Sequence, residues 1–331
     1  MVSIGEPAYR AKQVMAWIYQ KGAASFAEMS NLPQGLRDKF EETAKIGFLD
    51  EISRQVSADG TEKYLFGLSD AQTVETVIIP YEIGYSACIS TQVGCKMGCQ
   101  FCASGLPGFI RNLTAAEIMA QVIWVRCALG QRNGTLKSIV IMGSGEPLDN
   151  FTETVTFLEA VRDPQRLAMS LRHVTLSTSG LVPKMRELAA LGMPLTLAIS
   201  LHAPNNQLRD KLMPINKKFP LEKLMEACDD FATATGRRIT YEYVMIDGLN
   251  DQPEHARELA QLLNGRLHHV NLIPLNAVAE MEFRPSPKIV VNRFADLLRE
   301  KKVNVTVRRR LGADIAAACG QLRNNNPRDC E

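Results

Sequence analysis

The chain has 331 residues, with 38 Lys and Arg against 36 Asp and Glu, and 46% of its residues are hydrophobic. This composition excludes a disordered or collagen-like chain, and the length suits about two domains. No apolar run approaches the roughly 20 residues of a membrane helix and no signal peptide is evident, so we expect a cytoplasmic protein without a membrane partner. In a reducing compartment, the eight cysteines are expected to be metal ligands, nucleophiles or core residues.

The first 80 residues predict an accessory domain, a small helical head followed by a short β segment. Apolar residues recur at helical spacing between Tyr9 and Tyr19, and Pro33 precedes a second helical pattern that continues to Ala44. The β-rich runs 63–67 and 73–80 predict two strands. Glu75 lies in the second run, where a carboxylate usually faces solvent at a sheet edge; if it faced a cavity, desolvation would raise its pKa and suit it to proton transfer.

From about residue 87, short β-branched runs alternate with longer helical patterns. The predicted strands are 87–93, 137–142, 173–177, 195–201, 239–246 and 269–274, and the predicted helices lie near 114–129, 151–162, 181–191, 220–235, 251–263 and 287–300. This alternation predicts an α/β fold with a mainly parallel sheet, and six units suit a partial (β/α)6 TIM-like barrel. We assign the barrel to residues 81–310 and a C-terminal segment to 311–331, whose last eight residues resemble a frayed tail.

Three cysteines, Cys95, Cys99 and Cys102, follow the first predicted barrel strand at a Cys-x3-Cys-x2-Cys spacing. Chance would produce this spacing only about 0.005 times per chain of this composition. Three thiolates on one loop can hold three corners of a [4Fe–4S] cluster and leave the fourth iron open. The alternatives are a structural zinc site that recruits Cys88 or Cys319, and a ferredoxin-like centre, which lacks its fourth cysteine here.

Polar residues follow three other predicted strands, where the chemistry of an α/β fold is expected. Gly143 and Gly145 would let the backbone approach a ligand, and Glu146 offers a carboxylate to a cationic group. Ser177 and Ser200 could bond a ribose or a carboxylate, although most such serines only form turns. Considered by itself, Cys319 could be a buried core thiol. Cys127 and Cys228 lie in helical patterns and are expected to be packed, and Cys330 lies in the tail.

The basic residues are concentrated near the C-terminus. Between Arg299 and Arg310 six basic residues face one acid, which predicts a phosphate-binding track beside Cys319. This track comprises Lys301, Lys302, Arg308, Arg309 and Arg310 and is extended by Lys217 and Lys218. Further candidates for the extension are Arg111, Arg209 and Lys211.

These motifs, in this order, resemble the RlmN branch of the RlmN/Cfr radical S-adenosylmethionine (SAM) RNA methyltransferases nearly end to end. Cys95-x3-Cys99-x-Phe101-Cys102 matches the radical SAM motif. The more specific matches are Ser90–Cys95, Gly108–Leu113, Met142–Pro147, Thr175–Gly180, Ala198–Pro204, Pro214–Lys218, Tyr241–Met245, Asn271–Asn276 and Ala318–Leu322. Ser144 departs from the methionine usual in the family but leaves the neighbouring glycines and Glu146 intact.

The resemblance implies a [4Fe–4S] cluster on Cys95, Cys99 and Cys102, whose open iron is chelated by SAM, with two SAM molecules used per turnover. It implies SAM contacts at Gly145, Glu146, Ser177, Ser200, Leu201, His202 and Asn276. We expect His202 to contribute backbone or packing rather than to act as a catalytic base.

The resemblance also implies a reaction. Cys319 takes a methyl group from one SAM, and a 5′-deoxyadenosyl radical from the second SAM abstracts a hydrogen from that methyl. The methylene radical adds to carbon 2 of an adenine, Glu75 serves as proton acceptor, and Cys88 breaks the protein–RNA adduct through a transient disulfide with Cys319. The implied substrates are an adenosine of 23S rRNA and the adenosine adjacent to the anticodon in tRNA.

The remaining expectations concern partners and alternatives. We expect a monomer that receives electrons from a flavodoxin- or ferredoxin-type donor. The alternative within the family is a Cfr-like carbon-8 methyltransferase of 23S rRNA, although the pair Glu146-Pro147 favours the RlmN branch. The alternative of another class is a non-enzymatic iron–sulfur or zinc RNA-binding protein.

Overall fold

The computed structural model describes residues 1, 4–23, 25–44, 46, 49–278 and 280–323. The predicted tail and Cys330 lie outside these described residues. The strands are β1 (Asp50–Val56), β2 (Glu62–Gly67), β3 (Thr73–Tyr81), β4 (Gly84–Cys88), β5 (Gln92–Gly94), β6 (Phe109–Asn112), β7 (Leu136–Ile141), β8 (Val174–Thr178), β9 (Thr196–Ser200), β10 (Ile239–Met245), β11 (His268–Pro274) and β12 (Val305–Val307). The helices are α1 (Tyr9–Met15), α2 (Gln34–Thr43), α3 (Ala115–Gly130), α4 (Phe151–Arg162), α5 (Val182–Ala190), α6 (Asn206–Leu212), α7 (Leu221–Thr235), α8 (Pro253–Leu262) and α9 (Lys288–Glu300).

Ten of the strands form one sheet in the order β1-β2-β3-β4-β7-β8-β9-β10-β11-β12. The pairs from β4 to β12 are parallel, whereas β1 to β4 form an antiparallel meander that extends the same sheet. Since β1 and β12 pair on one side only, the barrel is open, and the prediction of a partial α/β barrel is confirmed. In such a barrel the carboxyl ends of the parallel strands meet at one mouth.

The core is a continuous apolar cluster between the sheet and its covering helices, whereas the head has its own small core. In the head, Ala23, Phe26, Met29, Leu32 and Leu36 are buried together. The helical pattern predicted from Tyr9 is present as α1 followed by a π-helical turn, Ala16–Lys21. No helix among the described residues is long and apolar enough to cross a membrane.

The first predicted barrel strand, 87–93, is the main difference between expectation and structure. It is two strands: β4 ends at Cys88, and β5 begins at Gln92 and pairs with β6 in a separate hairpin. The break is held by the buried side chain of Gln121 on α3, which accepts a hydrogen bond from Ser90 N at 2.9 Å and donates one to Ser90 O at 2.9 Å. Strands β1, β6 and β12 and helix α6 lie outside the predicted elements, because β1 is exposed along its whole length and the other three are short.

Candidate active site

The three motif cysteines lie on the loop between β5 and β6, at the barrel mouth. The loop requires glycine at position 94, where φ is +74° and a Cβ atom would lie 1.7 Å from Gly108 O. Cys95 N donates to that same carbonyl at 3.2 Å, and Cys102 N donates to Cys99 O at 3.2 Å. Cys95, Cys99 and Cys102 line one cavity of about 160 Å³.

The electrostatics of these thiols point to a cationic group between them. Burial raises the pKa of Cys99 well above its ordinary value, and Cys102 and Cys95 raise it further. Burial likewise raises the pKa of Cys95 to about 12 and that of Cys102. Three thiolates this close need positive charge to offset their repulsion, which the irons of a cluster supply.

The geometry also bears on the zinc alternative. In the described ranges, no three His, Cys, Asp or Glu side chains converge on one point as the ligands of a single ion do. The thiolates of a [4Fe–4S] cluster each bind a different iron, so they need not converge in that way. The arrangement of the three thiols in the described residues is therefore compatible with such a cluster.

Glu146 presents its carboxylate to the same cavity. Its Oε2 accepts a hydrogen bond from Ser179 N at 2.7 Å, and its Oε1 accepts one from Leu148 N at 3.0 Å. Burial raises the pKa of Glu146, and these two N–H groups act in the opposite direction. Packing within the protein already requires glycine at position 145, because a Cβ there would lie 2.6 Å from the Gln92 side chain.

The other predicted SAM contacts line this cavity, with one exception. Ser177, Ser200, His202 and Asn276 are in its wall, whereas the side chain of Leu201 is buried behind it. The buried polar atoms of the wall that have no hydrogen-bond partner include Oδ1 of Asn276 and Oγ of Ser179. A polar ligand such as SAM would satisfy both atoms, so the residues present fit that cofactor.

His202 is held as a neutral side chain. Its Nδ1 accepts a hydrogen bond from Val244 N at 3.0 Å, and its ring meets Phe101 edge-on at 4.7 Å between centroids. Burial lowers the pKa of His202 to about 3, and Arg209 lowers it further. The imidazole is therefore occupied in packing, as expected from the sequence.

Cys88 and Cys319 face a second, larger cavity that shares residues with the first. Cys88 ends β4 and packs in a small cluster with Val77, Ala317 and Leu322. Burial raises the pKa of the Cys88 thiol to about 12, and Cys319 adds to this effect. Cys319 is an exposed residue, but partial desolvation of its thiol raises its pKa, whereas the nearby Arg308 lowers it. The described cysteines are all free thiols.

The C-terminal segment crosses the barrel mouth and is fixed to several elements. Ala103 N donates to Gly320 O at 2.8 Å, Ser104 Oγ to Leu322 O at 2.6 Å, and Asn276 Nδ2 to Cys319 O at 3.1 Å. The turn between β1 and β2 also holds the segment: Asp59 Oδ2 accepts from Gly312 N, and Ser57 Oγ donates to Asp314 Oδ1. The accessory strands and the cysteine loop thus fix the position of Cys319.

Glu75 is not at a sheet edge, because β3 lies between β2 and β4. It is buried, forms an ion pair with Lys63 at 3.1 Å, and accepts a hydrogen bond from Arg323 N at 2.6 Å. Burial raises the pKa of Glu75, while Lys63 and Arg323 oppose the shift. Its side chain lies beneath the C-terminal segment and does not line either of the two cavities described above. No motif or pattern in the sequence identified Lys63 as a residue near Glu75.

The predicted basic track is divided by the fold. Arg308, Arg309 and Arg310 follow β12 and line the larger cavity, but Lys301 and Lys302 precede β12 and lie toward its opposite end. Lys211 within α6 and Lys217 and Lys218 after it are exposed.

Two arginines proposed to extend the track are otherwise engaged. The extension through Arg209 is wrong, because that side chain is 0% exposed. Arg111 is paired with Asp70 at 2.6 Å and with Glu117 at 2.8 Å. Its charge is therefore offset by two carboxylates and is not free for phosphate.

An unpredicted network lines the junction of the two cavities. Arg308 pairs with the buried Glu242 at 3.7 Å, and Asn271 Nδ2 donates to Glu242 Oε1 at 2.9 Å. Burial lowers the pKa of Arg308, but Cys319 and Glu242 raise it more, so this arginine stays charged beside the Cys319 thiol. Period-two alternation along β10 could have identified Glu242 as an inward-facing carboxylate.

Comparisons with known proteins find relatives that match nearly the whole chain. Residues 89–260 match the radical SAM superfamily, and residues 1–46 match the ribosomal RNA large subunit methyltransferase N-terminal domain. A probable dual-specificity RNA methyltransferase RlmN of Desulforamulus reducens is 50% identical over 321 residues, 97% of this chain and 91% of that protein. Its counterpart in Desulforudis audaxviator is 52% identical over 309 residues, 93% of this chain and 96% of that protein. The crystal structure of a radical SAM methyltransferase from Sphaerobacter thermophilus superposes with a TM-score of 0.96 at 42% identity, covering 98% of this chain and 95% of that chain.

Proposed function

Because the chain belongs to the RlmN family of radical SAM RNA methyltransferases, we propose that it methylates carbon 2 of adenosine in RNA. The relatives are named dual-specificity enzymes, and we assign the two substrates as an adenosine of 23S rRNA and the adenosine beside the anticodon of tRNAs. The observation that carries the proposal is the meeting of Cys319 and Cys102 in the wall shared by the two cavities. A thiol at this position can exchange groups with both a cofactor and a base.

We propose that Cys95, Cys99 and Cys102 hold a [4Fe–4S] cluster and that Glu146 and Asn276 hold SAM. When bound, the cluster supplies the electron that splits SAM. The carboxylate of Glu146 suits an ammonium group, because two backbone N–H groups already fix it in place. Ser177 and Ser200 offer hydroxyls to the ribose or the carboxylate. The use of two SAM molecules per turnover follows from the need to methylate Cys319 first.

Cys319 accepts the first methyl group in our proposal, and Arg308 favours this step because it lowers the pKa of that thiol. After the methylene carbon has joined carbon 2, the ring gives up one electron, which would return to the oxidised cluster, and its carbon-2 proton passes to Glu75. The Cys88 thiolate then attacks the sulfur of Cys319 and a Cys88–Cys319 disulfide forms. The electron pair of the broken carbon–sulfur bond stays on the carbon, which takes up a proton and becomes the methyl group of the product. Glu75 reaches the base only after the C-terminal segment shifts, because Arg323 N now occupies its carboxylate.

We propose that the chain has three regions with different roles. They are an accessory region 1–80, a barrel 81–310 and a segment 311–331 that carries the methyl group. The separate apolar core of the head and the hydrogen bonds from the β1–β2 turn to Gly312 and Asp314 support this division. Arg308, Arg309 and Arg310 contribute to RNA binding, with Lys217 and Lys218 on the surface beyond. We further propose a monomer that works in the reducing cytoplasm, where its RNAs and a flavodoxin- or ferredoxin-type donor are found.

The deciding experiment is product analysis. Anaerobically reconstituted enzyme is incubated with SAM, a reductant and a 23S rRNA fragment, and the nucleosides are separated by mass spectrometry. We expect 2-methyladenosine in the wild type and in Cys228→Ala, a control at a buried thiol of α7, and none in Cys319→Ala. A carbon-8 product would support the Cfr-like alternative, and a reduced protein that leaves SAM intact would refute the enzymatic mechanism.

A further inference from the structure

Arg209 on α6 is the largest fully buried side chain of the described structure. Its guanidinium donates to the carbonyls of Ser179 at 2.7 Å, Ser200 at 3.2 Å and Leu201 at 3.2 Å, and to Asn216 Oδ1 at 2.9 Å. These acceptors are all neutral. Among the described residues no Asp or Glu forms an ion pair with it, and the neighbouring Asp210 acts on its charge only at longer range, through Asn216.

An uncompensated buried charge is costly, so its retention calls for a nearby anion. Burial lowers the pKa of Arg209 to about 10, and the group that most strongly opposes this is Cys99. The helix that carries Arg209 is bonded directly to the cysteine loop, because Leu212 O accepts a hydrogen bond from Gln100 N at 3.0 Å. Cys228 and Asp210 also oppose the shift, but less strongly than Cys99, so the cysteine loop is the side on which added negative charge would act most on Arg209.

Arg209 also holds the wall in which SAM is expected. The Ser179 peptide donates its N–H to Glu146 and accepts from Arg209 at its carbonyl, so it links the two charged groups. The other carbonyls belong to the end of β9, where Ser200 faces the cavity. The planar fork of an arginine can bind several carbonyls at once, which a lysine ammonium cannot do in the same geometry.

We propose that Arg209 is a positioning residue that serves as the buried counter-charge of the cluster and fixes the SAM-binding ends of β8 and β9. This rests on the cofactors assigned in the proposed function. A [4Fe–4S] centre with three thiolates carries one net negative charge, and one-electron reduction adds a second. A fixed positive charge behind the cysteine loop stabilises the reduced state and raises the reduction potential.

The test compares midpoint potentials at equal iron content, measured by redox titration with electron paramagnetic resonance in the presence of SAM. We expect Arg209→Met to shift the potential to more negative values, and Arg209→Lys, which keeps the charge, to remain near the wild type. The matched control is Arg237→Met, since Arg237 binds Leu195 O and Thr196 Oγ1 at the other end of β9 and should not alter the potential. An unchanged potential in Arg209→Met would refute the counter-charge.

The positioning role has a separate readout, the equilibrium affinity for SAM measured by calorimetry. Arg209→Lys should bind SAM about fivefold or more weakly, because losing hydrogen bonds of about 1 kcal/mol each loosens the wall. Wild-type affinity in this variant would remove that part of the proposal. A wild-type enzyme with a reducible cluster but no carbon-2 product would instead refute the proposed function.

If Arg209→Met shows no cooperative thermal unfolding, it is not folded and cannot serve in the test. A second variant then replaces it, in which a carboxylate is moved next to Arg209. Asn216 donates to Asp210 Oδ1 at 2.7 Å, so the double variant Asn216→Asp/Asp210→Asn reverses this hydrogen bond and leaves the net charge unchanged. It places a carboxylate directly against Arg209. We expect the same negative shift of potential, and an unchanged value would overturn the proposal.

Discussion

Gln121 offers a direct test of how the fold positions the cysteine loop. Its buried amide accepts from Ser90 N at 2.9 Å and from Thr76 Oγ1 at 2.9 Å, and it donates to Ser90 O at 2.9 Å. These bonds hold the chain where β4 ends and the segment leading to Cys95 begins. The variant Gln121→Met keeps the size and helix propensity but removes every one of these bonds.

The expected loss of stability follows from the groups left unpaired. Each buried donor or acceptor without a partner costs about 1–3 kcal/mol, so three of them imply a loss of about 3–6 kcal/mol in the free energy of unfolding after partial relaxation. Urea unfolding of the apoprotein followed by circular dichroism measures the loss, and reconstitution measures bound iron, which we expect to fall. Gln261→Met on the exposed face of α8 is the control and should change stability by no more than about 0.5 kcal/mol.

A loss below about 1 kcal/mol in Gln121→Met, with normal iron binding, would refute the reasoning, because it would mean that Ser90 and Thr76 find other partners at little cost. A large loss in both Gln121→Met and Gln261→Met would also count against it. That result would indicate a general effect of methionine on helices rather than the loss of these particular bonds.

Three further predictions follow from the same structure. Gly94→Ala should abolish iron binding, since its Cβ would meet Gly108 O at 1.7 Å in a left-handed backbone conformation; iron analysis of the folded apoprotein after reconstitution checks this, and near-normal iron would contradict it. Burial raises the pKa of Glu62, but Tyr64 and Arg132 lower it more, so the pKa is below the ordinary value of about 4.3. The ionised Glu62 therefore stabilises the fold above about pH 4.3, and this contribution is lost as the pH falls through the lowered value. Urea unfolding should show Glu62→Gln less stable than the wild type at pH 7 and the difference shrinking toward pH 3; a pH-independent difference would show that the charge is not involved. Cys88→Ala should trap a covalent protein–RNA adduct visible on a denaturing gel, and turnover without adduct would exclude Cys88 as the resolving thiol.

Much of the fold was accessible from the sequence, because apolar periodicity is a local property of the chain. The alternation of β-branched runs and helical patterns placed the barrel helices within a few residues of their observed ends. The elements outside those predictions are short or lack an apolar face. Strand β1 is exposed along its whole length, and β12 has only three residues, so neither carries a periodic signal.

The cysteine spacing alone indicated a three-thiolate metal centre, because ligands within eight residues of one another must share a loop wherever that loop lies. The choice of an iron–sulfur cluster over zinc depended on the family resemblance and the family match. The residues assembled from distant parts of the chain were decided by tertiary structure. Arg209, expected on an RNA-binding surface, is buried, and Arg323 reaches Glu75 from the C-terminal segment, where Lys63 of the neighbouring strand β2 also pairs with it. Sequence reports the charge of a side chain but not its solvation or its counter-charge, and both depend on how the sheet brings remote segments together.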